Sequence, residues 1–245
     1  MRKRLDHALV ERGLVPSRSR AQDLIKDGKV LVDRKVCTKR SAEVDAQQMI
    51  ALKSDAPRYV SRGGTKLAAA LQRFGFDAND RVALDVGAST GGFTEVLLEA
   101  GARKVYAIDV GRDQLHPRLR KDARVVSLEE RDARDLAPSL FPDAVTAIAA
   151  DLSFISLCKA LGPALALAAR GAWLIALIKP QFEAGRAHVG KGGIVRDPQA
   201  RAAAVEAVSA WLKTQPGWRL VGVMPSPIKG GSGNEEFLLG AVNDG

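Results

Sequence analysis

One stretch of the chain, residues 84–94, constrains the fold more than any other. An apolar run, Val82–Val86, ends at Gly87, passes through small residues and continues from Phe93 into apolar positions at helical spacing. This pattern predicts a strand, a tight turn and the start of a helix. Glycines in such a turn let the backbone bend sharply and approach a ligand where a Cβ would collide. The turn contains Gly87, Gly91 and Gly92.

A second apolar run, residues 105–110, carries Asp109, 22 positions after Gly87. In nucleotide-binding β-α-β units an acidic residue at about this distance holds the ribose hydroxyls. The turn has Ser89 where a dinucleotide fingerprint has the glycine that admits a pyrophosphate. We therefore expect a ligand with a ribose and no phosphates, and S-adenosylmethionine meets both requirements. The alternative is a packing turn in another α/β sheet, which the position of Asp109 disfavours.

Positive charge is concentrated at the beginning of the chain. Residues 1–53 contain 13 Lys and Arg against 7 Asp and Glu, whereas residues 54–245 contain 24 against 21. The first segment therefore carries a net +6 of the total +9. Such a basic segment is typical of a nucleic-acid contact, because binding releases counterions from the phosphate backbone. A solvated basic surface without a partner is the alternative.

Cysteine content and hydropathy limit the other classes of function. Cys37 and Cys158 are far apart, which predicts no disulfide framework and no metal site. The first residues are charged and do not resemble a signal peptide. The most apolar region, residues 160–178, is interrupted by Pro163 and by Arg170 and its neighbouring glycine, so we expect a helix and a strand rather than a membrane span. These features predict a cytoplasmic protein with reduced thiols.

The first 36 residues predict two short helices and a hairpin. An apolar stripe from Leu5 ends at Gly13, and Ser17 is the expected N-cap of a second helix that ends before Gly28. Alternating valines then precede a turn at Asp33. Residues 14–21 and 24–32 resemble the RNA-binding domain of ribosomal protein S-four type.

In that domain the second helix and the hairpin lie on structured RNA. The resemblance implies a set of cationic RNA contacts, each of which has a solvated surface cation as its alternative. These are Arg18, Arg20, Lys26, Lys29, Arg34 and Lys35. We expect this domain to span residues 1–54, a linker residues 55–60, and a second domain residues 61–245.

The second domain contains further strand-like and helical runs. Strands are predicted at Val125–Leu128, Val145–Ala150 and residues 173–178, 220–224 and 237–242, and helices at residues 68–74 and 199–212. With the first two strands, this gives an α/β fold: a seven-stranded Rossmann-like methyltransferase sheet with a small N-terminal α+β RNA-binding domain.

Asp151, Lys179 and Glu236 each stand at the end of a predicted strand, on the edge where ligands bind. Lys66, before the first strand, is a surface lysine by default but can reach the same crevice. The order Lys-Asp-Lys-Glu resembles the tetrad of the FtsJ-like ribose 2′-O-methyltransferases. Four longer sequence motifs resemble those of the TlyA, or hemolysin A, family, and the resemblance covers nearly the whole chain. They are residues 61–64, 151–157, 179–183 and 191–198.

The chemistry supports such a tetrad. A ribose hydroxyl is a weak nucleophile near neutral pH, so a general base must take its proton as it attacks the sulfonium methyl. An ordinary lysine has a pKa of about 10.4 and is protonated at pH 7. A second lysine, partial burial and the sulfonium charge lower an amine's pKa, whereas carboxylates oppose this while fixing its position. We expect Lys179 as the base, although the sequence leaves the choice of lysine open.

The resemblance also implies the other roles. Asp151 would orient Lys179 and lie near the methyl donor, and Lys66 would lower the pKa of Lys179 or position the substrate oxygen. Glu236 would orient Lys66 or bind the ribose, with Glu235 as its rival. Asp132, after the third strand, would receive the adenine amino group. The expected S-adenosylmethionine site comprises Asp85, Gly87, Ser89, Gly91, Gly92, Phe93, Asp109, Asp132 and Asp151.

The implied substrate is a cytidine 2′-hydroxyl of ribosomal RNA, free or in a ribosomal subunit. Because duplex RNA hides its base edges in a deep groove, we expect recognition of shape and an outward turn of the target nucleotide. Two other classes remain. A non-catalytic ribosome-assembly factor would be expected to lose part of the tetrad, and a membrane-active hemolysin would need an amphipathic or apolar insertion segment. The sequence shows neither feature.

Overall fold

The structure, a computed structural model, describes residues 2–15, 18–39, 41–54 and 59–245, with only the backbone at positions 19, 20 and 23. The chain divides into two units, Met1–Arg58 and Tyr59–Gly245. The predicted N-cap Ser17 and most of the predicted linker, residues 55–58, lie outside the described residues.

The N-terminal unit contains the two predicted helices and short antiparallel strands. In chain order its elements are β1 (Lys3–Arg4), α1 (Leu5–Glu11), α2 (Arg18–Lys26), β2 (Val30–Val32), β3 (Lys35–Val36), β4 (Glu43–Val44) and β5 (Ile50–Leu52). Strand β1 pairs with β4, and β2 lies between β3 and β5. The inner faces of both helices, including Leu5, Leu24 and Ile25, form a buried core with Val30.

The predicted hairpin is present. Asp33 and Arg34 both have positive φ, +50° and +66°. Two such residues form the kind of turn whose twist matches that of antiparallel strands. Strand β5 was not predicted, because Ile50–Leu52 is too short to show an alternating pattern.

The C-terminal unit is an α/β sheet covered by helices. Its elements are α3 (Gly63–Phe74), β6 (Val82–Val86), α4 (Gly92–Glu99), β7 (Lys104–Ile108), α5 (Pro117–Arg120), β8 (Val125–Leu128), β9 (Val145–Ala150), α6 (Leu157–Ala160), α7 (Gly162–Ala166), β10 (Ala168–Ile178), α8 (Pro180–Glu183), α9 (Pro198–Lys213), β11 (Trp218–Pro225) and β12 (Phe237–Asn243). The seven strands lie in the order β11-β12-β10-β9-β6-β7-β8. Strand β12 runs antiparallel to the other six strands of this sheet, which are parallel to one another. The predicted fold class is confirmed.

Several element boundaries differ from the prediction, those of α3, β7 and β10 among them. Helix α3 begins at Gly63, so Lys66 lies inside a helix. Strand β7 ends at Ile108, which leaves Asp109 immediately after it. Strand β10 begins at Ala168 rather than at 173, because Gly171 adopts φ +80° and the strand continues across a register shift there.

In the central strands β6, β7 and β9 the two faces of the sheet differ in side-chain size. One face carries large residues such as Leu84 and Ile148, and the other carries mainly alanines such as Ala107 and Ala149. Small side chains let helices approach the sheet closely. Helix α4, which follows the glycine turn, packs on the alanine face.

Strand direction brings the chemical groups to one edge. Parallel strands β9 and β10 end at Ala150 and Ile178, directly before Asp151 and Lys179. Because β12 is antiparallel to β10 and pairs Phe237 with Ile178, the residue before β12, Glu236, lies at the same edge.

Candidate active site

Two lysine–carboxylate pairs lie at the carboxyl edge of the sheet. Lys66 Nζ on α3 donates a hydrogen bond to Glu236 Oε2 at 2.5 Å, and the two side chains are only 8% and 4% exposed. Lys179 Nζ lies 2.6 Å from Asp151 Oδ1, with side chains 11% and 23% exposed. The structure thus brings together all four residues of the predicted tetrad as two pairs from distant parts of the chain.

The second pair has a further member. The contact between Lys179 and Asp151 Oδ1 is close but lies outside hydrogen-bond angles, so that Oδ1 has no hydrogen-bond partner among the described residues. Lys179 Nζ instead donates a hydrogen bond of 2.7 Å to Ser153 Oγ. The sequence analysis did not select Ser153. Ser153 lies two residues after Asp151, within a motif that resembles the family, and this position could have indicated a role in the site.

The choice between Glu235 and Glu236 follows from their surroundings. Glu236 is buried against Lys66, and Gly230 lies so close to its carboxylate that a Cβ there would overlap it. Glu235 instead forms a 3.2 Å ion pair with Arg201 and is half exposed. Neighbouring residues entering a strand point to opposite sides, so only one of the two reaches the lysine.

Glycine is required in this turn because other parts of the chain lie close to its backbone. Gly87 has φ +87°, and a Cβ on it would lie 2.7 Å from the backbone oxygen of Asp151. A Cβ on Gly91, φ +94°, would overlap Leu115 and Leu119, and a Cβ on Gly92 would overlap the Ser61 hydroxyl. The expectation that all three approach a ligand therefore needs correction for Gly91, whose close neighbours are core leucines.

Asp109 lies directly after β7 and stabilises the glycine turn through hydrogen bonds. Its Oδ2 accepts a hydrogen bond of 2.8 Å from the backbone N–H of Ser89, and its Oδ1 accepts one of 2.7 Å from Gly111. Each carboxylate oxygen has a second lone pair, so Asp109 retains acceptor capacity for two hydroxyl groups.

Asp85 is fully buried on β6, between Ala107 and Ala149 of the neighbouring strands. Thr94 Oγ1 donates to its Oδ2 at 2.6 Å, whereas Oδ1 has no hydrogen-bond partner among the described residues. Burial raises the pKa of Asp85 to about 7, against the opposing effect of the Thr94 hydrogen bond. An unpartnered carboxylate oxygen two residues before the turn suits a donor that carries positive charge.

Three adjoining cavities line this edge of the sheet. We call the first, of about 290 Å³, the donor cavity; its walls include Gly87, Ser89, Asp109, Asp151 and Phe154. The acceptor cavity, of about 320 Å³, is lined by residues including Phe154, Lys179, Gln181, Phe182 and Glu236. A smaller cavity of about 150 Å³ is bounded by Gly87, Gly92, Phe93, Asp151 and Lys179. Ser153 lines all three.

Four of the nine predicted cofactor residues, Gly87, Ser89, Asp109 and Asp151, line the donor cavity, and the smaller cavity adds Gly92 and Phe93. The shape of the donor cavity follows the glycine turn, and it has an acid at the ribose position of the predicted site. Asp132 differs from the expectation. Its carboxylate caps a short helical turn and binds the Arg134 guanidinium, which lowers the pKa of Asp132 to about 2. Its neighbours Arg131 and Ala133 line the donor cavity instead.

In the N-terminal unit, the predicted RNA contacts lie on α2 and the hairpin. Lys26, Arg34 and Lys35 are exposed, Lys29 is half-buried, and the side chain of Arg20 lies outside the described residues. Arg18 is exposed and forms a 3.2 Å ion pair with the buried Asp6.

Asp6 also binds Arg4, which the sequence analysis did not select. Arg4 donates two hydrogen bonds of 3.1 Å to this carboxylate, and Gln22 donates one of 2.8 Å. Burial alone would raise the pKa of Asp6, but these donors together with Arg18 hold it well below its usual range. Arg4 and Arg18 line a cavity of about 500 Å³ with Lys3 and His7.

The described residues contain neither a membrane-spanning helix nor a metal-binding cluster. No helix in that part of the chain is long and apolar enough to cross a membrane. Within the same residues, no group of three or more His, Cys, Asp or Glu side chains is arranged to hold a metal ion.

Comparison with known proteins identifies the family. Residues 59–242 match the model of the FtsJ-like methyltransferases, and residues 3–50 match that of the S4 domain. The chain belongs to the FtsJ-like methyltransferase family. The resemblance drawn from the sequence is therefore confirmed, including its RNA-binding domain.

Relatives of this FtsJ-like methyltransferase cover nearly its whole length. The 16S/23S rRNA (cytidine-2'-O)-methyltransferase TlyA of Mycobacterium tuberculosis is 47% identical over 239 residues, 97% of this chain and 89% of that protein. Hemolysin A of Brachyspira hyodysenteriae is 42% identical over 238 residues, 96% of this chain and 98% of that protein. A solved structure from Streptococcus thermophilus is 38% identical and covers 99% of this chain and 88% of that chain, with a TM-score of 0.77.

Solved structures that share only the fold, with TM-scores of about 0.5, include methyltransferases with S-adenosylmethionine bound. The fold of the C-terminal unit is thus one that binds this donor elsewhere.

Proposed function

We propose that this protein transfers the methyl group of S-adenosylmethionine to the 2′-hydroxyl of a cytidine in ribosomal RNA. The observation that carries the proposal is the pairing of Lys179 with Asp151 at the meeting point of the donor and acceptor cavities. The matched family and the name of the relative in Mycobacterium tuberculosis support the same reaction.

The donor supplies an activated methyl group, so the protein's task is to align the acceptor oxygen and remove its proton. Lys179 lines the acceptor cavity and the small cavity beside Gly87, where the two reactants would meet. Its amine takes the proton of the ribose hydroxyl as the new O–C bond forms and the S–C bond breaks. Asp151 holds the charge of the resulting ammonium.

Lys66 has the second role. Its side chain is buried against Glu236, and of this pair it is Glu236 that lines the acceptor cavity. Lys66 therefore fixes the Glu236 carboxylate, which accepts a hydrogen bond from the sugar of the target nucleotide. This division favours Lys179 over Lys66 as the general base.

The donor would be held by groups on the donor cavity. Asp109 would accept from the ribose hydroxyls, and the turn at Gly87 and Ser89 would receive the methionine portion. Asp85 is fully buried and does not line this cavity, so it would act from behind the turn, through its negative charge when it is ionised. Asp132 is left out of this arrangement because it does not line the donor cavity, where its neighbours Arg131 and Ala133 do.

The acceptor cavity suits a nucleotide turned out of its helix. Phe154 and Phe182 lie on its wall with ring centroids 5.3 Å apart, and aromatic rings stack on unpaired bases. The wall also has the buried Gln181 Oε1, which lacks a hydrogen-bond partner among the described residues. Unpartnered buried oxygens are costly, so a polar ligand is expected there.

The N-terminal unit would supply affinity for RNA. Its exposed cations Arg18, Lys26, Arg34 and Lys35 lie on the helix and hairpin that the S4 domain uses, and we add Arg4 beside Arg18. Since ribosomal RNA is the proposed substrate, the cytoplasm is the expected location.

The direct test is transfer of radiolabelled methyl from S-adenosylmethionine to purified ribosomal subunits, followed by nuclease digestion and nucleoside separation. We expect the label in 2′-O-methylcytidine. Label on a base would refute the tetrad mechanism while leaving the donor site intact. Donor binding with no transfer to either subunit would favour a non-catalytic assembly factor.

A further inference from the structure

The orientation of Lys179 depends on a residue that no part of the proposed tetrad includes. Asp151 attracts the amine at 2.6 Å but from outside hydrogen-bond angles. The hydrogen bond that Lys179 makes among the described residues goes to Ser153 Oγ, at 2.7 Å. A charge contact tolerates many orientations of an amine, whereas a hydrogen bond fixes the direction of one N–H.

We propose that Ser153 is a positioning residue for Lys179, and that Glu183 holds Ser153 in place. This inference rests on the proposed function, in which Lys179 is the general base. A neutral amine has one lone pair, and the direction of that lone pair is set once its N–H groups are engaged. Ser153 engages one N–H and the Asp151 carboxylate attracts the second, so that the remaining position on the nitrogen, its lone pair, is available to the acceptor cavity that Lys179 lines.

The location of Ser153 agrees with this role. It lines the donor cavity, the acceptor cavity and the smaller cavity between them. Its hydroxyl therefore stands beside the line along which oxygen, methyl carbon and sulfur must align. Ser153 exchanges no bond in the reaction: the substrate proton moves to Lys179 Nζ, and Ser153 accepts a hydrogen bond before and after that transfer.

The loop that carries Ser153 needs an anchor. The next residue, Phe154, has φ +65°, a conformation that residues with a Cβ rarely adopt. Its side chain is 91% exposed, so burial of the ring does not hold the loop in this conformation. A strained residue persists only when its surroundings fix it.

Glu183 provides that fixation. Its Oε2 accepts a hydrogen bond of 2.6 Å from Ser156 Oγ, and its Oε1 accepts one of 2.8 Å from the backbone N–H of Leu157. Ser156 in turn caps the first turn of α6 by accepting from Cys158. Because Glu183 ends the short helix that begins after Lys179, one carboxylate ties the lysine's own segment to the loop that orients it.

The test measures methyl transfer to ribosomal subunits by Ser153→Ala and Ser153→Thr, with donor affinity measured separately by calorimetry. We expect Ser153→Ala to lower kcat about tenfold to a hundredfold, as for a misplaced catalytic group, with KM for the subunit and donor affinity within about twofold of wild type. Ser153→Thr keeps the hydroxyl and should recover most of kcat. An Ala variant with wild-type kcat, or a Thr variant as slow as Ala, would overturn the proposal.

Glu183→Gln tests the anchor with little change in shape. The amide retains one acceptor oxygen and loses the second, so we expect a kcat about fivefold to tenfold lower and an unchanged KM for the subunit. Combined with Ser153→Ala, it should add little, because both act through one hydrogen bond to Lys179. Full additivity of the two losses would show that Glu183 does not act through Ser153.

The same measurements separate this inference from the proposed function. If wild-type protein methylates no 2′-hydroxyl, the proposed function fails. If wild-type protein is active and Ser153→Ala is equally active, only the role of Ser153 fails.

Discussion

Both lysines of the candidate site contact a carboxylate, yet their surroundings differ. Lys66 and Glu236 are 8% and 4% exposed and share a 2.5 Å hydrogen bond. Lys179 and Asp151 are 11% and 23% exposed, their contact is not a hydrogen bond, and both line the small cavity beside the donor turn. The Lys66–Glu236 pair is suited to holding structure, whereas Lys179, on the walls of two of the cavities, can exchange a proton with a substrate.

Replacing each lysine should separate these roles most strongly. Lys179→Ala should lower kcat at least about a thousandfold, with folding and donor affinity retained, because it removes the proposed general base. Lys66→Ala should lower kcat less, about tenfold to a hundredfold, but should cost about 3 kcal/mol of stability, since it leaves Glu236 buried and unpaired. Single-turnover methyl transfer and urea unfolding measure the two effects.

The matched control is Lys213→Ala, an exposed lysine in the last turn of α9, which should change neither quantity. A Lys66→Ala protein that is inactive, beside an active Lys179→Ala protein, would reverse the assignment of the base.

Replacing the two carboxylates should also have unequal effects on stability, with the larger loss at the Lys66–Glu236 pair. Glu236→Gln leaves the Lys66 ammonium buried beside a neutral group and should lower the free energy of unfolding by about 3 kcal/mol. Asp151→Asn should cost less than about 1 kcal/mol, because this pair is more exposed. Glu235→Gln is the neighbouring control and should have almost no effect on stability. Equal losses at Glu236 and Asp151 would remove the distinction between the pairs.

The glycine turn packs against Asp151. We therefore expect substitutions in the turn to affect the surroundings of the Lys179–Asp151 pair and not those of the Lys66–Glu236 pair. Gly87→Ala places a Cβ 2.7 Å from the backbone oxygen of Asp151 and should cost about 2 kcal/mol while weakening donor binding. Gly171→Ala has a similar φ, +80°, with no atom near its Cβ, and should cost about 1 kcal/mol with donor affinity unchanged. Calorimetric titration and thermal unfolding measure both. Weakened donor binding in both variants would contradict a role for close packing at Gly87.

Asp85 can be compared with the two pairs, because it is a buried carboxyl group whose hydrogen bond comes from Thr94 rather than from a lysine. Its pKa, about 7 in the folded protein, exceeds the ordinary value of 3.8, so between these values the folded state holds a proton that the unfolded chain has lost. Stability should therefore fall as pH rises toward 7 and level off above it. Between pH 6 and pH 8 we expect a loss on the order of 1 kcal/mol.

Asp85→Asn should remove this slope, which urea unfolding at several pH values would detect. Saturating donor should also flatten it in the wild type, if the donor's positive charge binds the ionised carboxylate. An unchanged slope in Asp85→Asn would assign the pH dependence to other groups.

Much of the fold and the four paired residues could be predicted from the sequence, because the glycine turn and the strand ends are local features. Asp132 could not be placed, since its partner Arg134 depends on a helical turn that the sequence does not show. Ser153 was missed because a serine two residues past a strand is an ordinary loop residue. The neighbours that require glycine at 91 and 92, Leu119 and Ser61, come from other parts of the chain.

The position of β12 in the sheet has a consequence for folding. Lys66 and Glu236 are 170 residues apart, so their pair forms only after β12 has inserted between β10 and β11. Until then β10 presents an open, apolar strand edge, the kind of surface through which chains aggregate. Pairing of β12 with β10 therefore both allows the Lys66–Glu236 pair to form and covers this strand edge, so a chain that is slow to place β12 would lose yield and the buried pair together.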